Sequence, residues 1–150
     1  MIHLNEDGSA KFEKCHGGKF EQRKNAVGHF LDGKFVICGG LAVEYKIDCN
    51  VIDDVNTKTF KMTSLGGRHS AASIKLNQSA MWITGGYDKT WFDVKLTEIV
   101  SVDGSASGIN MPFGVYGHCM VQYKPDAIIL IGGAVNGKMS KKTWIIDPMN

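Results

Sequence analysis

Three short apolar segments of the chain each end in two adjacent glycines. They read KFVICGG, AMWITGG and AIILIGG, and their glycine pairs are Gly39–Gly40, Gly85–Gly86 and Gly132–Gly133. The distance from Gly39 to Gly85 is 46 residues, and the distance from Gly85 to Gly132 is 47. A pattern that recurs at an interval of about 20–50 residues indicates a repeat architecture.

The segments around each glycine pair predict several short strands per repeat. Turn-forming dipeptides precede the apolar segments, at Asp32–Gly33, Asn77–Gln78 and Pro125–Asp126. Further strand-like segments follow the glycines, at 48–53, 97–102 and 143–147. Residues 57–62 (TKTFKM) alternate between apolar and polar side chains and predict a fourth strand in the first repeat. Because no segment has helical periodicity, the sequence predicts an all-β fold of about four antiparallel strands per repeat.

The glycine pairs predict places where two backbones approach closely or where φ is positive. A residue without Cβ tolerates both conditions. We therefore expect valine at Gly86 or Gly133 to destabilise the fold by several kcal/mol through strain and overpacking.

These features resemble the kelch repeat. The resemblance rests on the glycine pair after an apolar strand, on Arg68–Ser70 upstream of it, on Phe60 where the family usually has Trp, and on Met111–Pro112. It extends over about residues 20–150, and segments such as WITGG and TWIID are similar to kelch-type proteins of invertebrates, many of them extracellular.

The resemblance implies a partial kelch-type β-propeller of about three four-stranded blades. The motif DGSA occurs at 7–10 and again at 103–106, so the first 14 residues resemble the end of one blade. The expected blades are 20–66, 67–112 and 113–150, the last one completed by 1–14. Closed propellers have about four to eight blades. Two hypotheses follow, namely a homodimer that forms a six-bladed ring, and an open monomer or a fragment of a longer propeller.

The kelch resemblance implies a non-catalytic protein–protein interaction module that uses no cofactor. The alternative is an enzyme or a metal- or carbohydrate-binding propeller of the galactose-oxidase type. The chain has no G-x-S-x-G, Walker or H-E-x-x-H motif, which favours the first interpretation. Aromatic and apolar residues in the loops after the glycine pairs are the candidate contacts for a partner, which stays unidentified: Tyr45, Tyr87, Trp91, Phe92 and Met139. For Trp91 and Phe92, packing back onto their own blade is an equally good interpretation.

A histidine precedes each apolar segment, at His29, His69 and His118. Kelch repeats typically have an arginine upstream of the apolar strand, and Arg68 is in this position in the second repeat. The first repeat has Gly28–His29 without an arginine, and the third has Tyr116 in its place. Three imidazoles around a channel would suggest metal binding. The alternative is that each histidine satisfies a loop carbonyl within its own blade, and this interpretation predicts no metal site.

Two cysteines occupy the ends of strands that are expected to be neighbours. Cys38 ends one strand and Cys49 begins the next, so they form either a disulfide or a pair of buried thiols. Cys15 and Cys119 are then left over, and we expect Cys119 to be a small apolar filler of an inner strand. Asn77 begins an N-x-S sequon at a predicted turn and is a candidate for glycosylation.

The bulk composition is that of a globular chain and narrows the classes of partner. The 150 residues are 43% hydrophobic and 21% charged, with a formal net charge of +2. This charge gives no electrostatic basis for binding nucleic acid or an anionic membrane. Neither a membrane-spanning apolar run nor a signal peptide is predicted, and both an extracellular and a cytoplasmic location stay open.

Overall fold

The computed structural model describes residues 2–4, 7, 9–12, 21–53, 56–63, 67–90 and 93–147, and their regular secondary structure consists of β-strands. The first strands are β1 (Ile2–Leu4), β2 (Ala10–Phe12), β3 (Val27–Leu31), β4 (Lys34–Cys38), β5 (Asp48–Ile52), β6 (Thr57–Lys61), β7 (Ala72–Lys75) and β8 (Ala80–Thr84). The remaining strands are β9 (Glu98–Ser101), β10 (Ser105–Ser107), β11 (Cys119–Lys124), β12 (Ala127–Ile131), β13 (Ala134–Val135), β14 (Lys138–Met139) and β15 (Thr143–Ile146). Cys15, Trp91 and Phe92 lie outside the described residues.

The strands form three main antiparallel sheets, which confirms the predicted all-β class. The first sheet has the order β3-β4-β5-β6 and the second has the order β7-β8-β9-β10. The third sheet has the order β11-β12-β15, and two small sheets pair β1 with β2 and β13 with β14. Each predicted apolar strand is the second strand of its sheet. Because β1 pairs with β2 within the described residues, completion of the third sheet by residues 1–14 stays a prediction.

The second sheet is buried on both faces because the other two sheets pack against it. In β8, Met81 and Ile83 lie in an apolar cluster with the first sheet, whereas Trp82 lies in a cluster with the third sheet. These three side chains are at most 1% exposed. Full burial of such a side chain stabilises a fold by about 1.5–3 kcal/mol, which explains why the AMWIT strand is almost entirely apolar.

Two backbone hydrogen bonds join the first sheet to the second, near the start of β7. The Gly40 N–H donates to the Arg68 carbonyl over 2.7 Å, and the Ser70 N–H donates to the Asn25 carbonyl over 3.1 Å. We call this pair of bonds a sheet joint. The second and third sheets repeat it with bonds of 2.8 and 2.9 Å, from Gly86 to Val115 and from Gly117 to Ser70.

The first glycine of the first two pairs, Gly39 and Gly85, lies where the backbone of the next sheet approaches closely. A Cβ at Gly85 would lie 2.1 Å from the Val115 carbonyl oxygen, and the φ of Gly85 is +60°. The second glycine is crowded by its own sheet, since a Cβ at Gly86 would lie 2.8 Å from the His69 carbonyl oxygen. Close backbone approach and positive φ therefore both require glycine here, as the sequence predicted.

Cys38 and Cys49 form a disulfide across β4 and β5. They are directly opposite each other in the antiparallel register, with their Cα atoms 4.0 Å apart. Both are at most 1% exposed, so the disulfide lies in the layer between the first and second sheets. This result confirms the predicted disulfide and excludes the alternative of two buried thiols. The expectation that Cys119 is a buried filler is wrong, because its side chain is exposed on β11.

Candidate functional site

Buried arginines fix the loops that follow the first two glycine pairs. The Arg68 Nη1 donates to the carbonyls of Gly85 over 3.2 Å and of Leu96 over 2.6 Å. Burial lowers the pKa of Arg68 to about 10, a value at which the guanidinium stays charged at neutral pH, with Glu98 opposing the shift. The arginine thus ties a glycine carbonyl to the residues that lead into the third strand of the sheet.

Arg23 performs the same task in the first sheet. Its Nη1 donates to the carbonyls of Gly39 over 3.1 Å and of Asp48 over 3.3 Å, and its Nη2 lies 3.2 Å from the Asp48 carboxylate. The expectation that the first repeat lacks the arginine is therefore wrong. The reason is that the arginine precedes the glycine pair by 16 residues in one repeat and 17 in the other, and it does not directly precede His29. In the third repeat the equivalent residue is Val115.

The residue after each arginine position pairs with the residue after the glycine pair. These pairs are Lys24 with Leu41, His69 with Tyr87, and Tyr116 with Ala134. The predicted equivalence of His29, His69 and His118 is consequently wrong. His118 lies elsewhere, with its Nε2 at 2.8 Å from the Thr84 hydroxyl of the second sheet, so the expectation that it satisfies a loop carbonyl is also wrong.

The pairing brings four rings from three repeats into one row, which we call the aromatic row: Tyr45, His69, Tyr87 and Tyr116. Consecutive ring centroids are 5.3, 6.0 and 4.0 Å apart, with interplanar angles of 41°, 29° and 41°. The first two distances lie within the range of about 4.5–7 Å found for favourable aromatic contacts, and the Tyr87–Tyr116 pair is closer still. All four residues are half-buried, so each ring packs on its neighbour and still presents an edge or a face to solvent.

Two members of the aromatic row, His69 and Tyr87, have pKa values shifted in the direction that favours the uncharged side chain. A hydrogen bond between the phenol groups of Tyr87 and Tyr116 is the main cause that raises the pKa of Tyr87 to about 12, and burial adds to it. Burial, followed by the positive charge of Lys24, lowers the pKa of His69 below its ordinary value. Both shifts thus favour the uncharged forms of His69 and Tyr87 at the centre of the row.

Charged side chains border the row at the end formed by the first repeat. An open cleft of about 820 Å³ is lined there by Glu21, Gln22, Arg23, Lys24, Leu41, Ala42, Val43, Glu44 and Lys46. Lys46 forms an ion pair with Glu21 across this region. A second cleft of about 560 Å³ includes Tyr45 and Lys89 in its wall. This end of the row is thus bordered by charged side chains of both signs.

The structure brings together some of the predicted contact residues. Tyr45 and Tyr87 belong to the row, whereas Trp91 and Phe92 lie outside the described residues. Met139 is 87% exposed on β14, where its pairing with Ala134 matches the pairing of Tyr45 with Leu41.

Two members of the row, His69 and Tyr116, were not predicted as partner contacts. Both immediately follow the arginine position, and both precede a residue with positive φ, Ser70 (φ 55°) and Gly117 (φ 63°). The spacing of 16 or 17 residues from the arginine position to the glycine pair is the sequence signal that identifies them.

Asn77 lies exposed in the turn between β7 and β8. Its side-chain oxygen accepts hydrogen bonds from Ser79 N–H, Ser79 O–H and Ala80 N–H, each at 2.9 Å. The side chain therefore organises the turn, and its glycosylation stays a prediction.

A search of the described residues for metal-binding groups and a comparison with known proteins give no indication of function. Within the described residues, no group of three or more His, Cys, Asp or Glu side chains is arranged to hold a metal ion. The same residues contain no helix of the length and hydrophobicity needed to cross a lipid bilayer. Comparison with protein-family models finds no match, and comparison with curated protein sequences finds none either.

Proposed function

We propose that this chain is a segment of a kelch-type β-propeller and acts as a non-catalytic module that binds a protein partner through the aromatic row. The single observation that carries the proposed role is the alignment of four half-buried rings from three successive repeats on one surface.

Repetition of the sheet joint supports the propeller assignment. The same two backbone bonds connect the first sheet to the second and the second to the third. The first strands of the three sheets, β3, β7 and β11, are also neighbours. Sheets that repeat one joint take the same relative orientation at each step, and radial repetition of four-stranded sheets is the architecture of a propeller.

The chemistry of the row supports partner binding. Rigid aromatic side chains supply a large contact area at small entropic cost, and Tyr is enriched among residues that dominate binding energy. The Arg23 and Arg68 hydrogen bonds fix the backbone beside the row before any partner binds. Preorganisation of this kind reduces the entropic cost of association.

The proposal is tested by affinity capture with matched variants. The immobilised chain would be incubated with a soluble extract of the source organism, and retained proteins would be identified by mass spectrometry. The test variants are Tyr87→Ala and Tyr116→Ala. Ile109→Ala is the control, since Ile109 is 43% exposed and lies outside the row.

We expect a protein that is retained by the wild type and the control and is lost with both tyrosine variants. Truncation of a central contact residue typically weakens binding by 2 kcal/mol or more, or about thirtyfold. The same retained proteins for all four chains would refute the role of the row, provided that circular dichroism shows each variant to be folded.

A further inference from the structure

The outer face of the first sheet exposes positions that are buried in the other two sheets. Met81 of the second sheet and Ile128 of the third sheet each lie four residues before their glycine pair. Both are 0% exposed because the preceding sheet covers them. The equivalent residue of the first sheet, Phe35, is 41% exposed, and its cross-strand neighbour Phe30 is 61% exposed. The first sheet therefore presents an apolar face on the side where the second and third sheets have a neighbour.

The outer face of the third sheet shows the complementary exposure. Cys38 of the first sheet and Thr84 of the second sheet directly precede their glycine pairs. They are 1% and 0% exposed because the following sheet covers them. The equivalent Ile131 is 46% exposed. On the same face, Val121 and Ile145 are 51% and 67% exposed and both are opposite Ile129 in the register.

The backbone groups of a sheet joint are also present at the two ends. Gly133 is equivalent to Gly40 and Gly86, whose N–H groups donate to the next sheet. Among the described residues, the Gly133 N–H and the Arg23 carbonyl have no such hydrogen-bond partner. One end of the chain thus carries the donor of another joint, and the other end carries its acceptor.

Gly132 has space that its equivalents lack. A Cβ at Gly39 would lie 2.6 Å from the Arg68 carbonyl oxygen, and at Gly85 it would lie 2.1 Å from that of Val115. At Gly132 the nearest such atom is the Ser140 carbonyl oxygen at 4.0 Å, although φ is again positive, at +67°. Gly132 therefore keeps the positive φ of Gly39 and Gly85. The sheet that crowds Gly39 and Gly85 has no counterpart beside Gly132 among the described residues.

We infer that a second copy of this chain covers both end faces, so that the third sheet of each copy packs on the first sheet of the other. The chain carries both halves of the interface, which makes it complementary to itself. Two such contacts close a ring of six sheets, a number within the range of about four to eight found in closed propellers. In each contact the Gly133 N–H donates to the Arg23 carbonyl of the second copy. The inference concerns assembly and does not require that the aromatic row bind a partner.

The primary test is the mass in solution of the full chain and of face variants. Light scattering after size exclusion should give twice the chain mass of 16.4 kDa for the wild type. Ile145→Asp places a carboxylate in the apolar contact and should weaken the dimer about 100-fold or more. Phe35→Asp should do the same from the other face. A mixture of these two variants retains one intact contact and should recover a heterodimer.

A finer test concerns the register of the contact. Gly132→Val should leave the folded monomer intact and weaken the dimer, because its side chain would meet the Arg23 carbonyl of the second copy. Gly137→Val is the matched control, since Gly137 also has a positive φ, of +72°, and a Cβ added there would meet no atom within 4 Å.

Alkylation of Cys119 provides an independent readout, because this exposed thiol lies on β11 beside Ile131 in the register. In a Cys15→Ser background, alkylation of Cys119 should slow as the protein concentration rises. A wild-type mass of 16.4 kDa at high micromolar concentration would overturn the inference. A dimer whose stability is unchanged by both Ile145→Asp and Phe35→Asp would overturn it equally.

Discussion

Substitution of Gly85 by alanine tests how tightly the second and third sheets are joined. The added methyl group would lie 2.1 Å from the Val115 carbonyl oxygen and 2.8 Å from the His118 ring. An ordinary carbon–oxygen contact is longer by more than about 1 Å, so the third sheet must shift. The shift also weakens the bond of 2.8 Å between the Gly86 N–H and the same carbonyl.

The expected cost is the sum of three effects. Alanine at a φ of +60° costs roughly 1–2 kcal/mol. Overpacking costs typically 1–3 kcal/mol, and loss of one backbone hydrogen bond costs about 1 kcal/mol. We therefore expect Gly85→Ala to lower the free energy of unfolding by about 4 kcal/mol.

Gly137→Ala separates the strain from the packing. Gly137 has a φ of +72° and open space around a Cβ, so its replacement should cost only roughly 1–2 kcal/mol. The assay is urea unfolding followed by the fluorescence of the buried Trp82, with the same slope m required for both variants. Equal losses of stability for the two variants would show that the second and third sheets are not in close contact at Gly85.

Three further predictions concern stability. The double variant Cys38→Ala, Cys49→Ala lacks the disulfide and should lose roughly 2.8 kcal/mol of unfolding free energy, as the chain-entropy model gives for a separation of 11 residues. The measurement is urea unfolding, with the reduced wild type studied in parallel. An unchanged midpoint would contradict that value. Burial lowers the pKa of His118 from 6.5 to about 4, so the unfolded chain binds a proton more readily between these pH values. Stability should be fully present above pH 6.5 and fall by about 2 kcal/mol on lowering the pH to 5, whereas His118→Gln should flatten this dependence; equal pH profiles would exclude His118 as the cause. Gly86→Val should lower the melting temperature markedly, because its Cβ would lie 2.8 Å from the His69 carbonyl oxygen at a φ of +98°. A melting temperature equal to that of the wild type would refute this role of Gly86.

The strands and the disulfide were predictable because they depend on local patterns. The apolar segments before the glycine pairs are β4, β8 and β12, and the predicted turns at Asp32–Gly33 and Pro125–Asp126 connect strand pairs in the structure. Antiparallel pairing of neighbouring strands then placed Cys38 opposite Cys49. Periodicity and turn chemistry determine these features without reference to the rest of the fold.

The structural equivalence of loop positions in the three repeats was harder to predict, because the histidines that recur in the sequence do not occupy equivalent positions. Histidine recurs before each apolar strand, yet the positions that match in space are Lys24, His69 and Tyr116. Side-chain identity varies there because the pairing uses backbone groups. What recurs is a backbone requirement, shown by the positive φ of Asn25, which matches that of Ser70.

The aromatic row could not be read from the sequence because its members are separated by up to about 70 residues. Tyr45 follows the first glycine pair, whereas Tyr116 precedes the third apolar strand. Their rings enter one row only because the sheet joints fix the offset between successive repeats. Contacts of this kind depend on the relative position of sheets, which single-strand patterns do not encode.

Amide hydrogen exchange at the glycine pairs tests the repeated sheet joint most directly. The Gly40 and Gly86 N–H groups should exchange far more slowly than the Gly137 N–H of the exposed turn, because each donates to a carbonyl of the neighbouring sheet. Exchange of Gly40 and Gly86 as fast as that of Gly137 would contradict the account of three sheets joined by one repeated pair of bonds.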